Sequence, residues 1–439
     1  MRLLEVLVER LLFALFGRIR PRDFTIELWN GARLPAESGR PSAFVAIVRD
    51  STLLWRVLSR PDLATLGEAY VTGALEVRGD LRSAYTVANR FTNAHPTGLR
   101  SVLDLWSSRP AVFRRSLRLW KPGTRVPTGD VGTLARSREA VNYHYELPRR
   151  FFETWLDDQM IYSCAYYVRE GDSLDVAQRQ KLDHVCRKLV LRKGERFLDV
   201  GCGWGALVVH ASREYGVHAT GITLSEKQAA HARERIDRAG LSDRCQIVVS
   251  DFRELPGNDT YDKIASVGMS EHVPRATQPQ YFRRLWSLLR NGGLLLNHAI
   301  GCTPVRPLRS GNTFLQRHIF PDHELFPIHE TLSFAEAEGF EVRDVENLRE
   351  HYAATLAMWA GRLDARAEQC ARLVGEQVVR AFRVYMLGMA HHFEEGNLHL
   401  YQSLLAKSAG GPAEVPRTRA HIYRRDDERN SLLYAAPAP

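Results

Sequence analysis

The stretch "RFLDVGCGWG" (196–205) constrains this 439-residue chain more than any other. A short apolar strand pattern runs straight into Gly201-x-Gly203-x-Gly205, and a helical pattern, "ALVVHASREYG", follows at once. The glycines permit a tight turn and bring backbone amides close to a ligand. The alternation extends both ways. "QRQKLDHVCRKLVL" precedes it as a helix; "HATGITL", "CQIVVS" and "YDKIASVGM" follow as strands, with the helix "SEKQAAHARERIDRAG" after the first of them. "PQYFRRLWSLLRNGG" is expected to be a helix capped by its glycine pair, and "LLLNHAI" a strand. Strands alternating with helices of this length predict a parallel sheet with right-handed crossovers. From about residue 351 the pattern is helical.

The N-terminal third is built differently. Residues 1–20 read as an amphipathic helix, because Glu5, Glu9 and Arg10 interrupt the Leu and Phe run. No apolar run reaches the roughly 18–20 residues that span a bilayer. "DFTIELWNGARLPA" and "SAFVAIVR" predict strands; "SRPDLATLGEAYVTGALEVRGDLRSAY" predicts helix broken at Gly67, Gly73 and Gly79. The Pro/Gly/Thr-rich "KPGTRVPTGDVGT" (121–133) reads as a linker. These signals divide the chain into an α+β domain over 1–130, an α/β domain over 131–425 and a disordered tail over 426–439.

Charge follows the same division. Of 60 basic and 51 acidic side chains, residues 1–150 hold 24 and 14, so the excess of positive charge is N-terminal. The segment 109–125 mixes arginines with Phe113, Leu117 and Trp120, a pattern suited to an anionic surface, or to a solvated helix face. The six cysteines form no CxxC pair and no zinc spacing, so free thiols in a reducing compartment and no metal site are expected.

The GxGxG spacing with Asp199 just before it differs from the GxGxxG of dinucleotide folds, and suits a ligand that joins an amino acid to adenosine. S-adenosylmethionine is the expected cofactor. The second strand ends without the usual ribose-binding acid and offers Thr223, Ser225 and Gln228 instead. Ser225 and Gln228 also make a capping box for the next helix.

The ordered motifs "MIYSCAYY", "LDVGCGWG", "GITLSEKQ", "SVGMSEHV", "NHAIG", "RHIFP" and "HYAATLAMW" resemble the cyclopropane-fatty-acyl-phospholipid synthase family over about residues 140–410. "LGEAYVTGALEVRGDL" resembles the N-terminal domain of its full-length bacterial members. The resemblance implies a Rossmann-like class I methyltransferase domain with a smaller N-terminal lipid-binding domain. It implies methyl transfer from S-adenosylmethionine to the cis double bond of an unsaturated phospholipid acyl chain, closing a cyclopropane ring. A bound bicarbonate ion is the implied base, cradled by Cys164, Glu271, His298, the Ile300 backbone and Tyr352. The implied cofactor set is Tyr162, Ser163, Asp199, Gly201, Gly203, Trp204, Gly205, Thr223, Leu224, Gln228, Asp251 and Phe252. Peripheral binding to the inner face of the cell membrane, a cytoplasmic location, a homodimer and no nucleic-acid partner complete what it implies.

The chemistry suits the residue types. An alkene is a weak nucleophile and must be held dry and in line with the methyl donor. The cation that results is stabilised by aromatic faces and loses a proton to a base. The uncharged "IYSCAYY" (161–167) fits such a wall, with Tyr162 and Ser163 toward the cofactor and the later tyrosines toward the cation. Taken singly, each residue has a plainer reading: Cys164 as a buried filler, Glu271 as a cap, His298 and Tyr352 as core groups. Three departures from the family pattern stand out: Ala206 and Pro274 where glycine is usual, and "PDHELFPIHE", with Asp322, His323 and Glu324, in place of a glycine-rich turn. A methylene- or methyl-branched product needs the same cradle, and the sequence does not separate the two outcomes.

Overall fold

The computed structural model describes residues 19–94, 130–304 and 314–423, except for isolated positions and short stretches within them, together with Arg10, Phe13, Phe16 and Gly17. Most of the expected amphipathic helix, the basic segment 109–125 and the tail 426–439 lie outside the described residues. The chain forms two compact units: 1–126 with 309–321 and 359–392, and 127–308 with 322–358 and 393–439. A cut near residue 130 follows chain order; the units follow space, and two later segments belong with the N-terminal one.

The first unit carries a four-stranded sheet of β1 (Phe24–Glu27), β2 (Arg33–Leu34), β3 (Phe44–Val48) and β4 (Leu75–Gly79) in the order β2-β1-β3-β4. β1 and β3 are parallel and the other pairs antiparallel. The helix Leu63–Thr72 starts where the Asp62 side chain accepts the Thr65 N–H at 2.7 Å, and ends at Gly73 with φ 79°. The break expected at Gly73 is there, whereas the helix runs unbroken through Gly67 and the helical segment expected between Gly73 and Gly79 is absent. Leu75–Gly79 is a strand, because the left-handed cap reverses the chain and lets Val77 pair with Ala46 of β3. Phe24, Ile26, Phe44, Val48 and Phe91 form the core. Beside it lies a cavity of about 140 Å³ walled by apolar side chains, among them Phe44, Leu66, Val87 and Leu387. His391 and His392 contact Asn89 Nδ2 (3.0 Å) and the Tyr85 hydroxyl (3.2 Å) in this unit.

The second unit holds a seven-stranded sheet of β5 (Arg196–Val200), β6 (His218–Thr223), β7 (Cys245–Val249), β8 (Tyr261–Val267), β9 (Leu289–Cys302), β10 (Glu341–Asn347) and β11 (Leu398–Ala406). Their order is β10-β11-β9-β8-β5-β6-β7. The pairs from β7 to β9 are parallel, as the alternation predicts; β11 is antiparallel to both neighbours. β5 and most of β9 are buried on both faces, which explains their unbroken apolar runs. The helix before β9 spans Gln278–Leu288, and the glycine pair does not cap it. Gly292 and Gly293 lie inside β9, where a Cβ on Gly293 would stand 2.7 Å from the Asp262 carbonyl oxygen. β5 lies between β6 and β8, so its glycine loop opens at the point where the chain switches direction across the sheet.

Candidate active site

The glycine loop is fixed by backbone contacts. The Gly201 and Cys202 N–H groups both donate to Ile222 O, at 3.0 and 2.9 Å. Gly205 has φ 82°, and a Cβ there would lie 2.8 Å from Ala232 Cβ. Gly203 differs: its φ is 51°, and nothing lies within 4 Å of where a Cβ would be. The loop is therefore packed at one end and open in the middle, as close approach of a ligand requires. Asp199 is 2% exposed, and burial lifts its carboxyl to about 7 against the pull of Lys181. Trp204 packs on Phe152 at 5.3 Å, and Tyr162 on Trp155 at 5.2 Å, so Tyr162 and Trp204 belong to one aromatic cluster beside the loop.

At the end of β6, Ser225 caps the helix Glu226–Arg238 by accepting the Gln228 N–H at 3.3 Å. The return half of the expected capping box is relayed. The Ser225 N–H donates to Thr223 Oγ1 (3.2 Å), whose own proton goes to Gln228 Oε1 (2.8 Å). Leu224 links the two. Thr223 and Ser225 are thus already committed, while Gln228 Nε2 makes no bond among the described residues. Asp251 likewise accepts from its neighbours: the Arg253 N–H at 2.9 Å and the Arg253 guanidinium at 2.7 and 2.8 Å. Phe252 lies under that guanidinium and is buried.

The loop 161–167 hangs on side chains of the turn before it and of two helices. Asp157 accepts from the Ile161 and Gln159 N–H groups (2.7 and 3.0 Å), and Gln178 Nε2 donates to Ser163 O (2.8 Å). The Ala165 N–H donates to Thr355 Oγ1 (3.0 Å). Cys164 is fully buried with its sulfur 3.2 Å from Ala165 O, and burial raises its thiol far above the usual range, so it stays a neutral wall. Tyr166 does not offer a free face. Its ring lies between the imidazoles of His184 (4.0 Å, 18°) and His351 (4.6 Å, 12°), and His184 Nε2 is 2.7 Å from Glu346. The expectation that the later tyrosines face a cation does not hold for Tyr166, whose two faces those rings cover.

Glu271 and His298 are among the residues whose buried side chains keep a polar atom with no hydrogen-bond partner among the described residues. Glu271 rides a single helical turn, Ser270–His272, which Gln278 steadies by donating to Ser270 O and Val273 O, both at 2.9 Å. Its Oε1 accepts the Ile300 N–H at 2.8 Å, so that amide reaches any bound anion only through the carboxylate. Oε2 is buried with no partner among the described residues. Burial pushes the carboxyl up to about 7. His298 lies two residues before Ile300 on β9. Gln402 Nε2 donates to its Nδ1 at 3.1 Å, which leaves the ring proton on Nε2, also buried and unpartnered. Burial holds His298 well below the usual imidazole range, so it is a neutral donor. Tyr352 is buried against Phe393 at 4.8 Å, on the same helix as Thr355.

The variant turn closes over Glu271. The Glu324 N–H donates to Glu271 O (2.9 Å), and Glu324 Oε2 accepts the Arg275 N–H (3.0 Å). Asp322 has φ 65° and pairs with Arg136 at 2.6 Å. His323 is half-buried, and desolvation and nearby His272 hold its imidazole down to about 4. Sequence reasoning read "QRQKLDHVCRK" only as a helix and missed Lys181, which is 3% exposed. The signal was present: Leu174, Gln178, Lys181, Val185 and Lys188 recur at helical spacing on the buried face. Among the described residues no cluster of His, Cys, Asp or Glu could hold a metal ion, and no helix is long and apolar enough to cross a membrane.

The family model described as mycolic acid cyclopropane synthetase matches residues 133–403. The chain belongs to the mycolic acid cyclopropane synthetase family. It is 39% identical to a "probable fatty acid methyltransferase" of Pseudomonas putida over 91% of this chain and 96% of that one. It is 29% identical to the cyclopropane-fatty-acyl-phospholipid synthase of Escherichia coli over 84% and 90%. Among solved structures, mycolic acid cyclopropane synthase CmaA1 complexed with SAH and CTAB matches with a TM-score of 0.58 and 31% identity, covering 61% of this chain and 97% of that chain. Like other members of the cyclopropane synthetase family, the chain is an S-adenosylmethionine-dependent methyltransferase of cyclopropane synthase type that acts on lipids.

Proposed function

We propose that the protein converts the cis double bond of an unsaturated phospholipid acyl chain to a cyclopropane, with a bound bicarbonate ion as the base. The observation that carries the reading is the pair of orphaned atoms. His298 Nε2 is a buried donor and Glu271 Oε2 a buried acceptor, each without a partner among the described residues. A bicarbonate ion answers both: an oxyanion accepts from the imidazole, and its hydroxyl donates to the carboxylate. Tyr352 and the neutral Cys164 belong to the same proposed cradle.

S-adenosylmethionine, when bound, supplies the methyl group. The open Gly203 turn, Asp199, Tyr162, Trp204 and the unused Gln228 Nε2 are the groups proposed to hold it, with Asp251 and Phe252 at the adenine end. Burial of loop 161–167 excludes water from the reacting chain, and its lack of charge leaves no nucleophile to trap a cation. The thiol of Cys164 stays protonated for the same purpose. A bicarbonate ion held by Glu271 and His298 would supply the base for the one proton that must leave the new methyl group as the ring closes.

The reading extends to where the enzyme works. The basic N-terminal third and the apolar cavity of the first unit support peripheral contact with an anionic leaflet from the cytoplasmic side, and a homodimer is part of the proposal. The test is to incubate the protein with methyl-labelled S-adenosylmethionine and vesicles of oleoyl phospholipid, then analyse the fatty acid methyl esters. Labelled cyclopropane ester is expected. A ring-free branched ester would replace the reading with the branched-chain alternative, and lipid without label would end it. Sedimentation with anionic liposomes checks the membrane part; variants with arginines of 109–125 reversed are expected to stay in the supernatant.

A further inference from the structure

Lys181 has no assigned role, yet it lies inside the second unit among the groups just described. Its Nζ donates to Ser163 Oγ at 3.0 Å, and that is its one hydrogen bond among the described residues. It is 3% exposed and has no carboxylate within ion-pairing distance there. An ammonium group has three donors, and a buried one without a counter-charge is costly to fold. The other buried lysines of this unit are paired. Lys188 is 2.6 Å from Glu346, and Lys263 is 3.8 Å from Glu195. Around Lys181 the nearest charges are Asp157, whose oxygens are occupied by backbone amides, and Asp199 before the glycine loop. Burial holds the Lys181 amine down to about 8, so it is still mainly charged at neutral pH.

We propose that Lys181 is a further cofactor-binding residue, supplying the counter-charge for the carboxylate of the cofactor's amino-acid end. The inference rests on S-adenosylmethionine being the methyl donor. Ser163, to which the amine is tethered, neighbours Tyr162 and Cys164, and Asp199 opens the turn at Gly201–Gly205. A buried cation and a buried carboxyl near one open turn match a zwitterion: Lys181 takes the carboxylate and Asp199 the α-ammonium. No other cation is needed to neutralise the amino-acid group, and the ligand in turn completes the donors that Ser163 alone leaves unused.

The test is calorimetric titration with S-adenosylhomocysteine and with its decarboxylated analogue, which lacks only the carboxylate. Wild-type protein should prefer the complete ligand by about 10- to 100-fold, the range of one charge-assisted hydrogen bond. Lys181→Met should lose that preference while binding the decarboxylated analogue about as well as wild type, and Lys181→Arg should keep most of it. Wild-type protein that binds both ligands equally would overturn the assignment without any variant having to fold. So would a preference that survives in folded Lys181→Met. Wild-type protein that binds neither ligand would instead overturn the cofactor reading beneath it.

Discussion

The two walls of the active site treat their polar groups in opposite ways. On the β6–β7 side, Thr223, Ser225 and Gln228 close a relay among themselves, and Asp251 is satisfied by Arg253. On the β8–β9 side, Glu271 Oε2 and His298 Nε2 are buried and unanswered. A buried unpaired polar atom costs about 1–3 kcal/mol, so the second wall gives up stability that the first retains. The difference teaches where ligand contacts decide binding and where they only rest on a finished scaffold. The open wall is where chemistry is expected to be lost by small changes, and the closed wall is where folding is.

The sharpest break of that contrast is Glu271→Gln. It keeps the shape and the Ile300 contact but cannot accept a proton, so turnover should fall by about 10²- to 10⁴-fold with cofactor affinity unchanged in titration. Near-normal turnover would remove Glu271 from the reaction. Its pH behaviour adds a sign. Burial raises the folded carboxyl to about 7, so wild-type turnover should decline below that pH, and the variant should lack this limb. The folded state also holds the proton more tightly than the unfolded chain. Stability contributed at acid pH is therefore lost as pH rises through about 7, and Glu271→Gln should melt above wild type at pH 8 but level with it near pH 4.

The glycine loop splits the same contrast within a few residues. Gly205→Ala places a methyl 2.8 Å from Ala232 Cβ and should cost about 1–3 kcal/mol in denaturant melts. Gly203→Ala meets no neighbour and should melt within about 1–2 kcal/mol of wild type, yet bind the cofactor at least several-fold more weakly. Next comes the brace over Glu271. Glu324→Ala removes the acceptor of the Arg275 N–H and should slow turnover by roughly 3- to 10-fold without raising the cofactor dissociation constant, while Glu324→Gln, which can still accept, should restore the rate. The smallest effect is expected at Thr223→Val. The relay is lost for about 1 kcal/mol of stability, with cofactor affinity changed less than about threefold; a larger loss of affinity would show that the closed wall is not closed.

The sequence showed the parallel half of the sheet because strands buried on both faces carry unbroken apolar runs, and it showed the glycine loop because its spacing is local. Glu271, His298 and Tyr352 were reached through motifs, whereas their environment was not. The orphaned oxygen of Glu271 depends on Ile300 and Gln278, and the tautomer of His298 depends on Gln402, a residue 104 positions away. β11, which follows a long helix, and the strand Leu75–Gly79 were missed for a similar reason: both are set by pairing with a neighbour more than by their own pattern. The glycine pair misread as a helix cap is explained by the Asp262 carbonyl that it must pass. Tyr166 looked like a pocket wall because nothing near it in sequence announces the two imidazoles that enclose it.

The apolar cavity of about 140 Å³ in the first unit has a consequence for linked equilibria. A molecule that binds the folded chain and not the unfolded one raises the melting temperature with the logarithm of its concentration. An alkyl chain lodged among Phe44, Leu66, Val87 and Leu387 should therefore move the unfolding transition upward as it is titrated in.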